Sequence, residues 1–205
     1  MADIPSDLEQ LRRRIDEIDD RLHDLLIERM DVVSRVAAHK RGDGAMPPHQ
    51  PAREAEIIRR LVARNHGALP AAALVRMWRE LLAATTRSQG AFTIAVYAPP
   101  DAIDCWDLAR DHYGSHTPML AFGSTAQVIR AVTEGQAAVG VLPMPEEEER
   151  DPWWRHLLSD NDGTPHVIAR LPFGARGNGR GAGAGGLAIG HGAQLPTGRD
   201  RSLLA

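Results

Sequence analysis

The stretch LEQLRRRIDEIDDRLHDLLIERMDVVSRVAAHK, residues 8–40, decides the fold of the first part of this chain. Its apolar residues recur at alternating spacings of three and four, the pattern of a helix that packs against another helix. This seam consists of Leu8, Leu11, Ile15, Ile18, Leu22 and Leu25. At 1.5 Å per residue the helix would span roughly 50 Å, too long for one small neighbour to cover. We therefore predict a long helix that ends near Lys40 and pairs in a helical dimer.

Two further helices are predicted after a run of glycine and proline. One begins near Pro51, a residue suited to the first helical position, and ends near Asn65. The other runs from near Pro70 to Gly90, with leucines and a tryptophan on one face. The first 90 residues are therefore predicted to form an all-α domain of three helices.

The remainder of the chain, residues 91–205, has a different composition. Short β-type runs alternate with short helical patterns, which is typical of a small α/β domain. The predicted strands are 92–98, 137–143, 166–171 and 187–190, and the predicted helices are 104–113 and 124–134. Residues 174–186 are rich in glycine, and we expect a mobile segment there.

Composition limits the functions open to this chain. Lys and Arg number 24 against 27 Asp and Glu, and this balance argues against a general nucleic-acid binder. The single cysteine, Cys105, leaves no internal disulfide and is typical of a reducing compartment. The N-terminus lacks a basic leader, and no apolar run reaches the ~20 residues of a membrane span. We therefore expect a cytoplasmic protein that engages neither nucleic acid nor membrane.

Arg29 interrupts the apolar seam of the long helix. Counting on from Leu25, the next core position is residue 29, and valines at 32 and 36 resume the series. A guanidinium in a buried stripe is costly unless anions or acceptors meet it. Lys40 lies about three turns further on and roughly on the same face. Both residues are candidates for binding an anion, although ordinary solvated or paired charge remains the alternative.

Arg12 lies 17 residues before Arg29, about 25 Å along the helix axis. The two guanidinium groups of one helix therefore cannot share a compact pocket. An antiparallel partner helix would bring Arg12 of a second chain to Arg29. An arginine-lined pocket thus predicts a homodimer.

The other candidate residues lie on the shorter helices. Arg53 and Glu54 fall in the first turns of the second helix, where ordinary helix-start charge is the alternative interpretation. Thr85 and Gln89 lie one turn apart at the end of the third helix, where C-terminal polar residues are common. We find no metal-ligand spacing, phosphate loop or nucleophile–base pair, so we expect no metal and no cofactor.

Three separated motifs carry a family resemblance, and they appear in order at family spacing. They are LRRRIDEIDDRLHDLLIERMDVVSRVAAHK (11–40), PAREAEIIRRL (51–61) and WRELLAATTRSQ (78–89). Together they resemble the all-helical chorismate mutases across nearly all of residues 7–90. The resemblance implies an intertwined helical homodimer with two composite active sites and chorismate as substrate.

The resemblance also implies roles for individual residues. Arg12 of the partner chain and Arg29 would hold the two substrate carboxylates, and Lys40 would contact a carboxylate and the ether oxygen. Glu54 would accept a hydrogen bond from the ring hydroxyl, and Gln89 would donate one to the ether oxygen. The rest of the implied substrate-binding set is Gln50, Arg53 and Thr85. Gln50 stands where the family often has an aspartate, and Thr85 keeps the hydroxyl of a family serine.

This residue set suits the conversion of chorismate to prephenate, a unimolecular rearrangement without proton transfer. Arginines bind carboxylates bidentately, and Lys40 with Gln89 would supply preorganised stabilisation of the ether oxygen. Because Gln89 is neutral at every pH, we expect a rate that is flat near neutrality. A Gln89→Glu variant would then need acid to work.

The second half resembles the first lobe of prephenate dehydratase, which bifunctional enzymes fuse behind a mutase. The resemblance is partial, covering 92–143 and GRDRSLLA at 198–205. Met144 and Pro145 replace the family's glutamate-asparagine-serine motif, and the family's threonine-arginine-phenylalanine motif aligns with Ala184, Gly185 and Gly186. We therefore expect a degenerate, truncated dehydratase-like domain without catalysis, with a stabilising or regulatory role.

Two rival functions stay open at this point. Isochorismate-pyruvate lyase shares the helical dimer and much of the charged pocket. A catalytically idle helical dimer that regulates another shikimate-pathway enzyme is the second rival. The intact set of charged site residues argues against idleness, because scaffolding does not require it.

Overall fold

A computed structural model describes residues 7–42, 49–146, 152–159, 161, 163–174, 177, 180, 185–192 and 195–200. The chain divides into two compact units, Met1–Met46 and Pro47–Ala205.

The first unit contains one long helix, α1, over Asp7–Gly42. The predicted helix is confirmed, and it extends two residues beyond Lys40. The seam residues are exposed in the single chain, with 62% of Leu11 and 60% of Leu25 accessible. A helix with such an apolar stripe is stable in water only when another surface covers the stripe.

The second unit begins with two helices, α2 over Pro51–Arg64 and α3 over Ala71–Gln89. Local sequence sets these bounds. Pro51 occupies the first position of α2, where its missing N–H is no loss. Gly90 ends α3 in an extended conformation. Both predicted helices are confirmed to within a residue at each end.

The rest of the second unit is a mixed sheet of five strands with a helix on each face. Its elements are β1 (Ile94–Tyr97), α4 (Asp104–Tyr113), β2 (Met119–Phe122), α5 (Thr125–Thr133), β3 (Val139–Pro143), a 3-10 helix (Trp153–Leu157), β4 (His166–Leu171) and β5 (Gly186–Gly190). The strand order is β2-β1-β3-β5-β4. Strands β2, β1 and β3 are parallel, whereas β5 pairs antiparallel with both β3 and β4. The predicted α/β class is confirmed, although β2 and the 3-10 helix were not predicted.

The sheet separates two apolar layers. On one face Ile94 and Val96 of β1 pack with the α4 residues Cys105 and Ala109. On the other face Ala95 packs among residues of α5 and the 3-10 helix. Because successive strand residues point to opposite faces, one short strand serves both layers. The α/β half therefore has a complete core within one chain.

The helix α5 illustrates how local sequence sets an element. The Ser124 hydroxyl accepts a hydrogen bond from the Gln127 amide, and the Gln127 side chain accepts one from the Ser124 amide. This reciprocal pair is a capping box, which fixes the start of the helix. Beneath α5, Gly140 of β3 lies so close to Val128 that an added Cβ would approach it to 2.8 Å. Close packing of helix on sheet therefore requires glycine at 140.

Part of the sequence-based prediction concerns residues that the structure does not describe. Eight of the thirteen residues of the predicted glycine-rich segment 174–186 are not described. The predicted domain boundary after residue 90 stays a prediction. Among the described residues, no helix is both long enough and apolar enough to cross a membrane.

Candidate active site

The site-forming part of the second unit begins at the first turn of α2. Gln50 precedes the helix, and its carbonyl accepts a hydrogen bond from the Glu54 amide at 3.1 Å. Glu54 thus lies on the face of α2 that also carries the buried residues Ala55 and Ile58. Only 12% of the Glu54 side chain is exposed. A carboxylate this buried requires a charged or hydrogen-bonding partner.

Arg79 of α3 is that partner. Its Nη1 donates to Glu54 Oε2 at 3.0 Å, and 5% of its side chain is exposed. The two residues form an ion pair that joins α2 to α3. Burial raises the pKa of Glu54 to about 7, while the charge and hydrogen bond of Arg79 act to lower it. Desolvation outweighs the attraction of Arg79, as is common for buried pairs.

Aromatic side chains surround this ion pair. The His49 ring lies 5.2 Å from Phe92 and 5.5 Å from Tyr113, measured between centroids. His112 packs edge-on against Tyr113 at 4.6 Å. Burial, followed by the charge of Arg79, lowers the pKa of His49 to about 4. The same causes, together with His49, lower the pKa of His112 well below its usual value. Both imidazoles are therefore neutral at pH 7.

A second aromatic contact reaches Arg79 from the end of β4. The guanidinium carbon of Arg79 lies 5.2 Å from the centre of the Phe173 ring, and that of Arg59 lies 5.5 Å from it. Cation–π contacts of this kind are favourable and become stronger away from water. Phe173 thus connects the α/β half to the ion pair.

Several buried polar atoms near Glu54 have no hydrogen-bond partner among the described residues. They are His49 Nε2, Gln50 Nε2 and the Tyr113 hydroxyl. His49 Nε2 lies 3.8 Å from Glu54 Oε1. Buried polar groups are normally paired, so such a cluster is typical of a site that receives a polar molecule.

Thr85 and Gln89 lie together in the last turns of α3. The Thr85 hydroxyl donates to the Leu81 carbonyl at 2.8 Å, and Gln89 Nε2 donates to the Thr85 carbonyl at 3.2 Å. Thr85 is buried and Gln89 is half-buried. The amide of Gln89 therefore folds back on its own helix in this structure.

Arg53 has a different environment from its neighbour Glu54. Its Nη1 donates to Glu56 Oε2 at 3.0 Å, and 65% of its side chain is exposed. The structure therefore does not bring Arg53 into the Glu54–Arg79 pair, and its predicted role in substrate binding stays a prediction.

The predicted residues of α1 belong to the first unit. Arg12 is exposed, and Arg29 is half-buried. Desolvation lowers the pKa of Arg29, in agreement with its place in the apolar seam. Lys40 lies in the last turn of α1, and the expectation for its side chain lies outside the described part of the structure.

Comparison with known proteins identifies the class of the helical region. Residues 11–90 match the family described as chorismate mutase type II. The chain therefore carries a chorismate mutase type II domain in its N-terminal region.

Individual relatives extend the similarity beyond that domain. The chain is 31% identical over 156 residues to the bifunctional chorismate mutase/prephenate dehydratase of Pseudomonas aeruginosa. This alignment covers 73% of this chain and 41% of that protein. Proteins of the same name from Stutzerimonas stutzeri and Aquifex aeolicus are 27% and 29% identical, over 69% and 67% of this chain and 40% and 39% of their own lengths. The part of this chain that aligns with the Pseudomonas aeruginosa protein, 73% of its length, is longer than the helical region. The similarity to that relative therefore continues into the α/β half. The chain spans about 41% of the length of that relative.

Sequence reasoning missed six contributors to the buried cluster: His49, Arg79, Phe92, His112, Tyr113 and Phe173. A signal existed for Arg79, which lies on the buried face of α3 between Leu74 and Leu82. Arg29 shows the same anomaly, because it too places a guanidinium in the apolar stripe of a helix. No comparable local signal exists for Phe173, because its contact with Arg79 joins distant parts of the chain.

Proposed function

We propose that this protein is a chorismate mutase, which rearranges chorismate to prephenate in phenylalanine and tyrosine biosynthesis in the cytoplasm. The observation that carries the proposal is the match of residues 11–90 to chorismate mutase type II. The buried carboxylate Glu54 beside unpaired polar atoms of His49 and Gln50 supports it, since this cluster suits a polar ligand.

The proposed reaction needs binding and electrostatics rather than proton transfer. Arg29 and the partner's Arg12 would hold the two carboxylates of chorismate, because planar guanidinium groups bind carboxylates bidentately. Lys40 and Gln89 would stabilise charge developing on the ether oxygen. Glu54 would accept a hydrogen bond from the ring hydroxyl and so fix the orientation of the ring.

The substrate-binding set would be completed by three further residues, Gln50, Arg53 and Thr85. Gln50 already has a buried amide nitrogen without a partner among the described residues. Binding of a hydroxyl or carboxylate oxygen there would satisfy it. Arg53, on the exposed side of α2, would have to leave Glu56 to reach a substrate.

The proposed assembly is a homodimer in which α1 pairs with α1 of a second chain. The support is the exposed apolar seam, where 57% of Ile15 and 51% of Leu22 are accessible in one chain. Burying such a stripe is the main source of stability for long paired helices. The spacing of Arg12 and Arg29 along α1 independently favours a partner chain.

One experiment separates the proposed function from its rivals. The purified protein is incubated with chorismate and, in parallel, with isochorismate, and the products are identified by chromatography. Prephenate from chorismate supports the proposal. Salicylate plus pyruvate from isochorismate would identify a lyase, and unchanged substrates would favour an idle helical dimer.

We propose that the α/β half is not a working prephenate dehydratase. The proposal rests on Met144–Pro145 and Gly185–Gly186, which stand where the resembled family has its polar motifs. Phenylpyruvate formed from prephenate by the pure protein would overturn it.

A further inference from the structure

The side chains that surround the Glu54–Arg79 ion pair come from both halves of the second unit. Arg79 belongs to α3, whereas His112 and Tyr113 belong to α4 and Phe173 follows β4. The match to the chorismate mutase type II family covers residues 11–90 and includes none of these α/β residues. The α/β half therefore supplies part of the wall around a carboxylate of the mutase region.

We propose that Arg79 is a positioning residue for Glu54, and that His112, Tyr113 and Phe173 of the α/β half seal this ion pair from water. The proposal deepens the proposed function and rests on it, since it gives the α/β half a role in the mutase site. Arg79 acts through Glu54 and touches no reacting atom.

The geometry of the pair favours positioning over simple structural support. Arg79 donates through Nη1 to one carboxylate oxygen only, Glu54 Oε2. The other oxygen, Oε1, has His49 Nε2 at 3.8 Å, beyond hydrogen-bond distance. One oxygen of Glu54 is thus held in place while the second retains its capacity to accept from a substrate hydroxyl.

Arg79 provides the charge that balances Glu54. The described groups that face the carboxylate are Arg79 from α3, His49 before α2, and Tyr113 from α4, with His112 behind Tyr113. Burial lowers the pKa values of both imidazoles and raises the pKa of the Tyr113 hydroxyl. These three groups are neutral near pH 7, so the charge state of Glu54 depends on Arg79 and on the exclusion of water.

Two substitutions should move the titration of Glu54 in opposite directions. Arg79→Gln removes the balancing charge and leaves the carboxylate buried, so the pKa of Glu54 should rise above about 7. Phe173→Ala opens the pair to water and relieves the desolvation, so the pKa should fall. General damage to the fold would move both variants the same way.

The matched control is Arg76→Gln. Arg76 lies one turn before Arg79 on the same helix and pairs with Asp111 of α4 at 2.6 Å, with 45% of its side chain exposed. The variant removes the same charge and an ion pair that joins α3 to a different helix, α4, and in the described part of the structure Arg76 forms no ion pair with Glu54. It should leave the Glu54 titration unchanged.

The first measurement is a carboxyl ¹³C NMR titration of Glu54 in the full chain, assigned with Glu54→Gln. We expect a midpoint near 7 for the wild type, a higher midpoint for Arg79→Gln and a lower one for Phe173→Ala. Arg79→Lys keeps the charge and should stay near the wild type. A wild-type midpoint near the ordinary glutamate value, or no shift in Phe173→Ala, overturns the proposal even if Arg79→Gln does not fold.

The second measurement is the pH dependence of kcat/KM for chorismate. An ionised carboxylate accepts a stronger hydrogen bond than a protonated one, so activity should fall about tenfold as pH drops through the Glu54 midpoint. The sequence predicts a flat profile near neutrality instead, so a measurement of this acid limb also tests that expectation. The pH at which activity falls should be higher in Arg79→Gln and lower in Phe173→Ala than in the wild type.

The two proposals fail in different ways. A protein that converts no chorismate at any pH refutes the proposed function, whereas the NMR titration still decides whether the two halves set the charge of Glu54. A protein that converts chorismate, with a limb at the same pH in Arg79→Gln, Phe173→Ala and wild type, refutes the positioning role alone.

Discussion

Helix α1 and the five-stranded sheet differ in the solvent exposure of their apolar residues. In α1 the seam residue Leu22 is 51% exposed, whereas Leu142 of β3 is 0% exposed. The sheet is completed by its own helices, α4 and α5, whereas α1 keeps an apolar stripe open along its length. The difference teaches that one region of this chain is self-sufficient and that the other requires a second surface.

The largest expected effect comes from a charge in the open seam. In Ile18→Asp the carboxylate would lie at the centre of the proposed α1–α1 interface, where desolvation is costly. We expect loss of the dimer in analytical ultracentrifugation and a fall in mutase activity of more than about 100-fold. A monomeric wild type with full activity would contradict the comparison. The matched control is Asp16→Asn, a substitution on the same helix outside the seam.

The next prediction asks whether the two guanidinium groups of a site come from different chains. Arg12→Ala and Arg29→Ala should each be nearly inactive alone. If they are unfolded and refolded together, half of the dimers are mixed, and each mixed dimer has one site with both arginines intact. Activity should then return to about one quarter of the wild type in a symmetric two-site dimer. No recovery on mixing would show that Arg12 and Arg29 do not complete one site across the interface.

Sequence alone predicted the helices well because their limits are local. Pro51 and Gly114 mark ends by backbone chemistry that involves few neighbours. The strand β2, Met119–Phe122, was missed because it is short and lacks β-branched residues. It exists through parallel pairing with β1, from Ile94↔Met119 to Tyr97↔Phe122, which no local pattern encodes.

The residues of the candidate site also fall into two groups, those that the sequence predicted and those that depend on contacts between distant parts of the chain. The family motifs gave Glu54 and its position at the start of α2, and the structure places it buried there. The residues that set its charge state, Arg79 and Phe173, depend on contacts between α2, α3 and the end of β4. Such long-range contacts follow from the fold, and a single sequence does not reveal them.

A third prediction tests the self-sufficient region. Leu142 of β3 is fully buried in the apolar layer that also contains α5 residues and Trp153, so Leu142→Ala should lower the free energy of unfolding by about 2–5 kcal/mol. The measurement is denaturant unfolding followed by circular dichroism. Leu120→Ala on the edge strand β2, where 41% of the side chain is exposed, should cost under about 0.5 kcal/mol. Equal costs at the two positions would contradict the assignment of the core.

The effect of protein concentration on stability should also distinguish the α1 seam from the core of the sheet. If the seam of α1 is not covered, Leu22→Ala should hardly change the free energy of unfolding. If a second chain buries the Leu22 side chain, the substitution should lower that free energy by about 2 kcal/mol or more. For a dimer the midpoint of thermal unfolding also rises with protomer concentration. We therefore expect Leu22→Ala to be destabilising and to weaken that concentration dependence, whereas Leu142→Ala should leave the dependence in place. A Leu22→Ala protein as stable as the wild type would indicate that the seam is not covered.

The smallest expected effect lies on the polar side of α1. Arg14 pairs with Glu17 at 2.6 Å, and 61% of each side chain is exposed. Water and salt screen such pairs, so Arg14→Ala should change the free energy of unfolding by less than about 0.5 kcal/mol. Because Arg14 stands outside the seam, dimerisation and activity should also be unchanged. A loss comparable to that of Ile18→Asp would mean that the partner surface on α1 includes the polar side, and the open stripe would then not be the interface.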